Sequence, residues 1–237
     1  MTVPRLLVVA GMAPAPRLGG SDVQGSGRRV PICSVCGQRP VLAKRGEGFS
    51  CRNIWCSAAD RPLGAVFWAG TYEGGLRRAI LSYKYHSDLR WASVFARLLL
   101  ELLNAHATWF EEYGVLCPVP SFDGVGARRP WGHIELVCAE LSSRAGCEWP
   151  VQPLVRKVAE TEPMSATSRP ERRRIAGGSL SRSLVIAPGA STEGRKILVV
   201  DDVCASGQTL LAMARVLHAA GADEVAGLVL ARALFRS

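Results

Sequence analysis

The chain has 237 residues, 48% of them hydrophobic, and a formal net charge of +9. That length supports one sizeable core plus a small appended module, and no run reaches the roughly 18–20 apolar residues that cross a membrane. A soluble, cytoplasmic protein is expected, and the positive charge favours anionic partners such as phosphates, nucleotides or nucleic acid.

Residues 1–29 are dense in glycine, proline and serine, as in GMAPAPRLGGSDVQGSGRR, and read as a disordered leader. Its LLVVA patch is too short for a signal-peptide core. Residues 30–61 form a cysteine-rich module. Cys33 and Cys36 make a C-x2-C knuckle followed by Gly37, and Cys51 and Cys56 make a C-x4-C pair. Two pairs of thiols at this separation suit tetrahedral, structural zinc, with no coordination position left for chemistry. A segment this short needs such a metal to fold. Two disulfides or four free thiols are the competing readings. The other cysteines, Cys117, Cys138, Cys147 and Cys204, are scattered and read as core or idle thiols.

From residue 64 to the C-terminus the pattern is that of an α/β domain. Ala65–Tyr72 has strand composition, Gly74-Gly75 marks a turn, and Leu76–Tyr85 reads as helix. Between Asp88 and His106, Leu89, Ala92, Phe95, Ala96, Leu99, Leu102 and Leu103 share one helical face. Val115–Ser121 is a short apolar strand running into prolines. Ile134–Gly146 continues as helix, and Val151–Arg156 starts another strand. Lys157 to Gly178 is a polar loop with a basic run at Arg172, Arg173 and Arg174; it reads as a lid or a solvated segment. Ser183–Ala187 is a further strand. The four histidines, His86, His106, His133 and His218, are not spaced as a metal set.

The most informative stretch is Lys196–Leu210, KILVVDDVCASGQTL. Ile197–Val200 is apolar on both parities, as a strand buried on both faces must be. Asp201 and Asp202 follow at its carboxyl end, where open α/β sheets bind ligands. Ala205, Ser206, Gly207, Gln208 and Thr209 then form a small-residue loop, and Leu210–Ala220 reads as helix. Backbone amides and the positive end of a helix dipole converge on such a loop and suit a phosphate. The acids repel phosphate and suit ribose hydroxyls or a divalent cation. An ordinary βα turn with an Asp helix cap is the plainer alternative. Ala222–Arg232 reads as the last parallel strand.

This stretch resembles the 5-phosphoribosyl 1-pyrophosphate (PRPP) motif of type I phosphoribosyltransferases. With the N-terminal cysteines, the Tyr83–Asp88 segment YKYHSD and the Cys117–Ser121 prolines, the chain resembles the ComF family. It departs at Ala205 and Gln208, and at Trp131-Gly132-His133, where relatives carry an aromatic followed by Asn-Gln. The resemblance implies a mostly parallel sheet flanked by helices, behind a small zinc-ribbon-like module. It implies that Asp201 and Asp202 hold the ribose, that residues 205–209 hold the 5-phosphate, and that Lys84, Ser121, Arg129 (or Arg128) and Arg172 meet a diphosphate carried with Mg2+. The expected ligand is PRPP or a phosphoribosyl nucleotide, and the expected activity is phosphoribosyl transfer to an acceptor the residues do not name. The alternative the resemblance leaves open is a non-catalytic adaptor for DNA uptake, binding single-stranded DNA or a protein. A dinucleotide-binding protein fits poorly, since no G-x-G-x-x-G follows a strand.

Overall fold

The computed structural model describes residues 21–23, 29–31, 33, 35–36, 41–42, 49–50, 56, 61–86, 88–125, 131–145, 149–161 and 180–234. Its centre is a four-stranded, all-parallel sheet of order β5-β10-β9-β6, formed by β5 (Val66–Thr71), β10 (Glu224–Arg232), β9 (Lys196–Cys204) and β6 (Val115–Pro118). Because every strand points the same way, all four carboxyl ends lie along one edge.

The apolar run Ile197–Val200 is buried on both sides, as its lack of polar alternation requires. Ile197 and Val199 join the core beneath helix α6 (Gln208–Ala219), with Leu210, Met213 and Leu217. Leu198 and Val200 face the opposite layer, where Phe95, Leu99 and Leu103 of α2 (Arg90–Ala105) pack. That layer also holds α1 (Gly74–Tyr85) and α4 (His133–Ala145), with a short turn, α3 (Ala107–Phe110), between α2 and β6. The expected face of α2 is buried from Ala92 to Leu103, whereas Leu89 sits before the first turn and is exposed.

Several boundaries differ from the sequence expectations for local reasons. β9 runs on through both acids to Cys204, because β10 accompanies it that far, with Ala231 beside Val203 and Arg232 beside Cys204. Helix α6 begins at Gln208 rather than Leu210. Gly74-Gly75 is the first turn of α1 rather than a separate turn. A positive φ at Gly74, following a tight Glu73–Thr71 backbone bond, redirects the chain into the helix.

β7 (Val155–Lys157) and β8 (Leu184–Ile186) are strands, but they pair with each other, antiparallel, outside the central sheet. A single turn, α5 (Ser181–Ser183), leads into β8. Among the described residues, only Val151 bridges this segment to the sheet, parallel to Leu116. Leu154, Val155 and Leu184 carry this arm onto the face that α6 covers.

Within the segment expected to be a disordered leader, β1 (Ser21–Val23) pairs antiparallel with β2 (Arg29–Pro31); the rest of that leader lies outside the described residues. Between the cysteine pairs, β3 (Val41–Leu42) and β4 (Phe49–Ser50) form a small antiparallel ribbon. Val35, Cys36 and Cys56 are buried in the same core as α6, and Val66 donates to the Val35 carbonyl at 2.8 Å. Among the described residues no helix is long and apolar enough to cross a membrane.

Candidate functional site

An open cleft of about 410 Å³ lies along the carboxyl edge of the sheet. It brings together the end of β9, the loop into α6, the end of α1 and the residues after β6. Asp201, Asp202, Ser206, Gly207 and Thr209 line it, and so do Lys84 and Ser121. The ends of β9 and β6 meet here because both strands leave the sheet at the same edge, and the C-terminal end of α1 packs against them.

The loop has a backbone geometry that suits an anion. Gly207 takes the left-handed conformation, φ +80°, at the N-cap of α6, which a side-chain-bearing residue adopts only with strain. No side chain caps the helix, and its first intrahelical bond runs from Leu211 N–H to the Gly207 carbonyl at 2.9 Å. The amides ahead of Leu211 therefore have no carbonyl four residues back within the helix, and the helix dipole adds positive potential there. Gln208 and Thr209 belong to this first turn.

The acids are a charged counterpart. Lys84, at the end of α1, pairs with Asp202 at 2.6 Å, the two side chains being 22% and 13% exposed. Burial and then the Asp202 charge push the Asp201 carboxyl up to about 7; Lys84 and the Asp202 amide, which donates to Asp201 Oδ1 at 2.8 Å, work the other way. Burial weakens the Lys84 charge, but Asp202 and Asp201 outweigh it and hold this ammonium above its usual range. Lys84 thus meets the acids directly.

At the other end, the Ser121 amide donates to Glu135 Oε1 at 2.7 Å and its hydroxyl lies 3.4 Å from Oε2. Glu135, in the first turn of α4, was not singled out from the sequence. Tyr83, also missed, fixes the start of α4: its hydroxyl donates to the His133 carbonyl at 2.7 Å and its ring meets the His133 ring edge-on. A glutamate near a helix start was the available signal for the first, and the aromatic beside Lys84 for the second.

Arg232 is a further missed residue. It is wholly buried at the end of β10, and donates from Nε to the Cys36 carbonyl at 2.5 Å and from Nη1 to the carbonyls of Cys204 and Ala205. It therefore ties the cysteine knuckle to the first residue of the anion loop. A lone arginine closing an apolar strand was its only mark in the sequence. His218, which the spacing excluded as a ligand, bridges the Ala222 and Pro62 carbonyls.

The ligand atoms of Cys33, Cys36 and Cys56 lie within 4.8 Å of one another. Three converging thiols, two of them buried, fit a soft or borderline metal ion and can hold one. Cys51, expected as the fourth ligand, lies outside the described residues, as do Arg128, Arg129, Arg172 and the basic loop between 162 and 179.

The phosphoribosyl transferase domain family matches residues 145–234. The DNA utilization protein YhgH of Salmonella typhimurium is 25% identical over 209 residues, covering 87% of this chain and 86% of its own. The protein of the same description from Escherichia coli O157:H7 is 26% identical over 213 residues, covering 86% and 91%. Among solved structures, a hypoxanthine phosphoribosyltransferase from Staphylococcus aureus aligns at TM-score 0.36 and 15% identity, over 59% of this chain and 64% of that one, less than two thirds of its length. A phosphoribosyl transferase domain match over residues 145–234 thus stands beside similarity to the YhgH proteins along most of the chain.

Proposed function

We propose that the cleft binds a 5-phosphoribosyl ligand, PRPP or a phosphoribosyl nucleotide, and transfers the phosphoribosyl group to a nitrogen acceptor. One observation carries this reading. An uncapped helix start behind a left-handed Gly207 stands directly after two adjacent carboxylates, all in one cleft. A phosphate suits the amides of residues 205–209, and a ribose diol suits acceptors such as Asp201 and Asp202. The match of residues 145–234 to the phosphoribosyl transferase domain supports the same assignment.

In the proposed reaction the C1–O bond to diphosphate breaks and its electron pair leaves with the diphosphate. The acceptor nitrogen forms the new C1–N bond and releases its proton. No protein nucleophile is required. The chain's tasks are to position the sugar, to lend negative potential from Asp201 and Asp202 to a cationic C1, and to exclude water. Lys84, Ser121, Arg129 and Arg172 are assigned to the diphosphate, Lys84 from its pairing with Asp202. Mg2+ accompanies the diphosphate and screens its charge. Zinc is proposed for Cys33, Cys36 and Cys56, with Cys51 as the fourth ligand, in a structural role. The proposal divides the chain at residues 30–61 and 64–237 and places it in the cytoplasm, a compartment that keeps such thiols reduced.

Titration calorimetry with PRPP and Mg2+, beside the Asp201→Asn/Asp202→Asn variant, tests the ligand site. Saturable one-site binding lost in the variant supports it, and a screen of acceptors for pyrophosphate release then tests transfer. A folded, metal-loaded protein that binds no phosphoribosyl ligand overturns it.

A second reading has its own support: YhgH carries the description DNA utilization protein, and the chain's net charge is +9. Under it, the chain is a single-stranded DNA or protein adaptor. Oligonucleotide affinity well above the nonspecific level, steeply reduced by salt, favours this reading. Affinity that never exceeds nonspecific levels removes it.

A further inference from the structure

The cleft has two ends at which donors gather. One is the loop at 205–209 and the start of α6. The other is formed by Ser121, with His133 and Ile134 from the first turn of α4. At this second end the donors are already engaged by a charge of the protein's own. Glu135 accepts from the Ser121 amide at 2.7 Å and lies 3.4 Å from the Ser121 hydroxyl. Its carboxylate also sits against Gly132, where an added Cβ would fall 2.0 Å from Oε2 and 2.2 Å from Cδ. Gly132 is therefore what leaves room for this rotamer, and a residue with any side chain there would displace it. The Glu135 charge also reaches across the site, since it adds to the repulsion felt by Asp201.

A ligand with phosphate at only one end of its ribose needs the first set of donors alone. A ligand with a second anionic group on C1 needs the other end too, where the Ser121 amide is already occupied by the Glu135 carboxylate. Like charges a few ångströms apart repel strongly in a partly buried site.

We infer that Glu135 determines which phosphoribosyl ligand the cleft takes: by holding Ser121, with Gly132 making the space, it favours ligands whose C1 carries an uncharged group over those carrying a 1-diphosphate. This inference rests on the phosphoribosyl reading above and chooses between its two ligand forms. Glu135 is a specificity residue, and diphosphate-bearing ligands bind well only once it leaves Ser121.

The test is calorimetric titration of the metal-loaded full chain with ribose 5-phosphate and, separately, with PRPP and Mg2+. The wild type is expected to bind ribose 5-phosphate at least as tightly as PRPP. Glu135→Ala is expected to raise PRPP affinity at least tenfold and to change ribose 5-phosphate affinity less than threefold. Gly132→Ala keeps the charge but removes its seat, so it should shift the PRPP-to-ribose 5-phosphate ratio in the same direction. Glu135→Gln keeps the shape and the Ser121 bond and guards against misfolding of the alanine variant; it should recover part of the gain. Wild-type binding of PRPP ten times tighter than ribose 5-phosphate overturns the inference and leaves the phosphoribosyl reading standing, as does an unchanged ratio in both the Glu135→Ala and Gly132→Ala proteins. Binding of neither ligand by any of these folded proteins overturns both.

Discussion

Arg232, fully buried at the end of β10, donates from Nε to the carbonyl of Cys36 at 2.5 Å, joining residues 196 positions apart in the chain. The same guanidinium holds the Ala205 carbonyl at 2.5 Å and lies 3.2 Å from the Cys204 thiol. A planar fork of donors can satisfy several carbonyls at once, which an ammonium or an apolar side chain cannot. The cysteine knuckle and the anion loop are thereby fixed to one rigid group.

Replacing Arg232 leaves buried carbonyls without donors, at about 1–3 kcal/mol for each such group. Arg232→Met is expected to lower unfolding free energy by about 3 kcal/mol and to weaken zinc binding at least tenfold. Denaturant unfolding and competition with a chelating dye measure the two effects. Zinc affinity unchanged in a destabilised variant would show that the link to Cys36 is packing alone.

Asp201 makes stability depend on pH. Its folded value, about 7, lies above the ordinary 3.8. The folded chain therefore holds a proton that the unfolded chain has released between those values. The resulting stability is fully present below about 3.8 and is lost as pH rises through 7. Unfolding curves at pH 5 and pH 8 should show a larger decline with pH in the wild type than in Asp201→Asn. Equal declines would place the proton elsewhere.

Lys84 and Asp202 form a largely buried pair at 2.6 Å. A double-mutant cycle with Lys84→Met and Asp202→Asn should give a coupling of about 1–3 kcal/mol in unfolding free energy. The double variant should be more stable than the sum of the single changes implies, because each single change strands a charge. Additive effects would mean that the pair contributes nothing measurable.

Gly207 is the residue whose conformation exposes the start of α6. An alanine at φ +80° is strained by about 1–3 kcal/mol, so Gly207→Ala is expected to lower stability by that amount. It should also weaken ribose 5-phosphate binding at least tenfold. Gly75→Ala, at a helical position whose added Cβ meets nothing within 4 Å, is the control. Equal binding by both variants would remove the loop from the site.

Contiguous features were legible before the fold was known. The β9–loop–α6 unit, Ile197 to Ala219, carries its meaning in one stretch: apolar run, acid pair, small residues, then apolar helix. The buried face of α2 was legible from its period. Relations made by tertiary packing were not. Nothing local says that Val155–Lys157 pairs with Leu184–Ile186 outside the main sheet, since a short apolar run looks the same in either setting. Arg232 looked like a strand end. The sequence marks Lys84 as a candidate for phosphate, and the approach of α1 to β9 adds a pairing with Asp202 that no local pattern shows. The departure at Gly132 carries no local reason in the sequence, whereas in the structure the carboxylate of Glu135 lies on it.

The most direct test of the central claim is calorimetric titration of the metal-loaded protein with ribose 5-phosphate and with PRPP and Mg2+, beside Asp201→Asn/Asp202→Asn. Saturable one-site binding of at least one ligand, lost in the double variant, is the result expected if residues 205–209 hold a phosphate and the acids a ribose. Failure of the folded wild type to bind either ligand, or undiminished binding by a folded double variant, would contradict it.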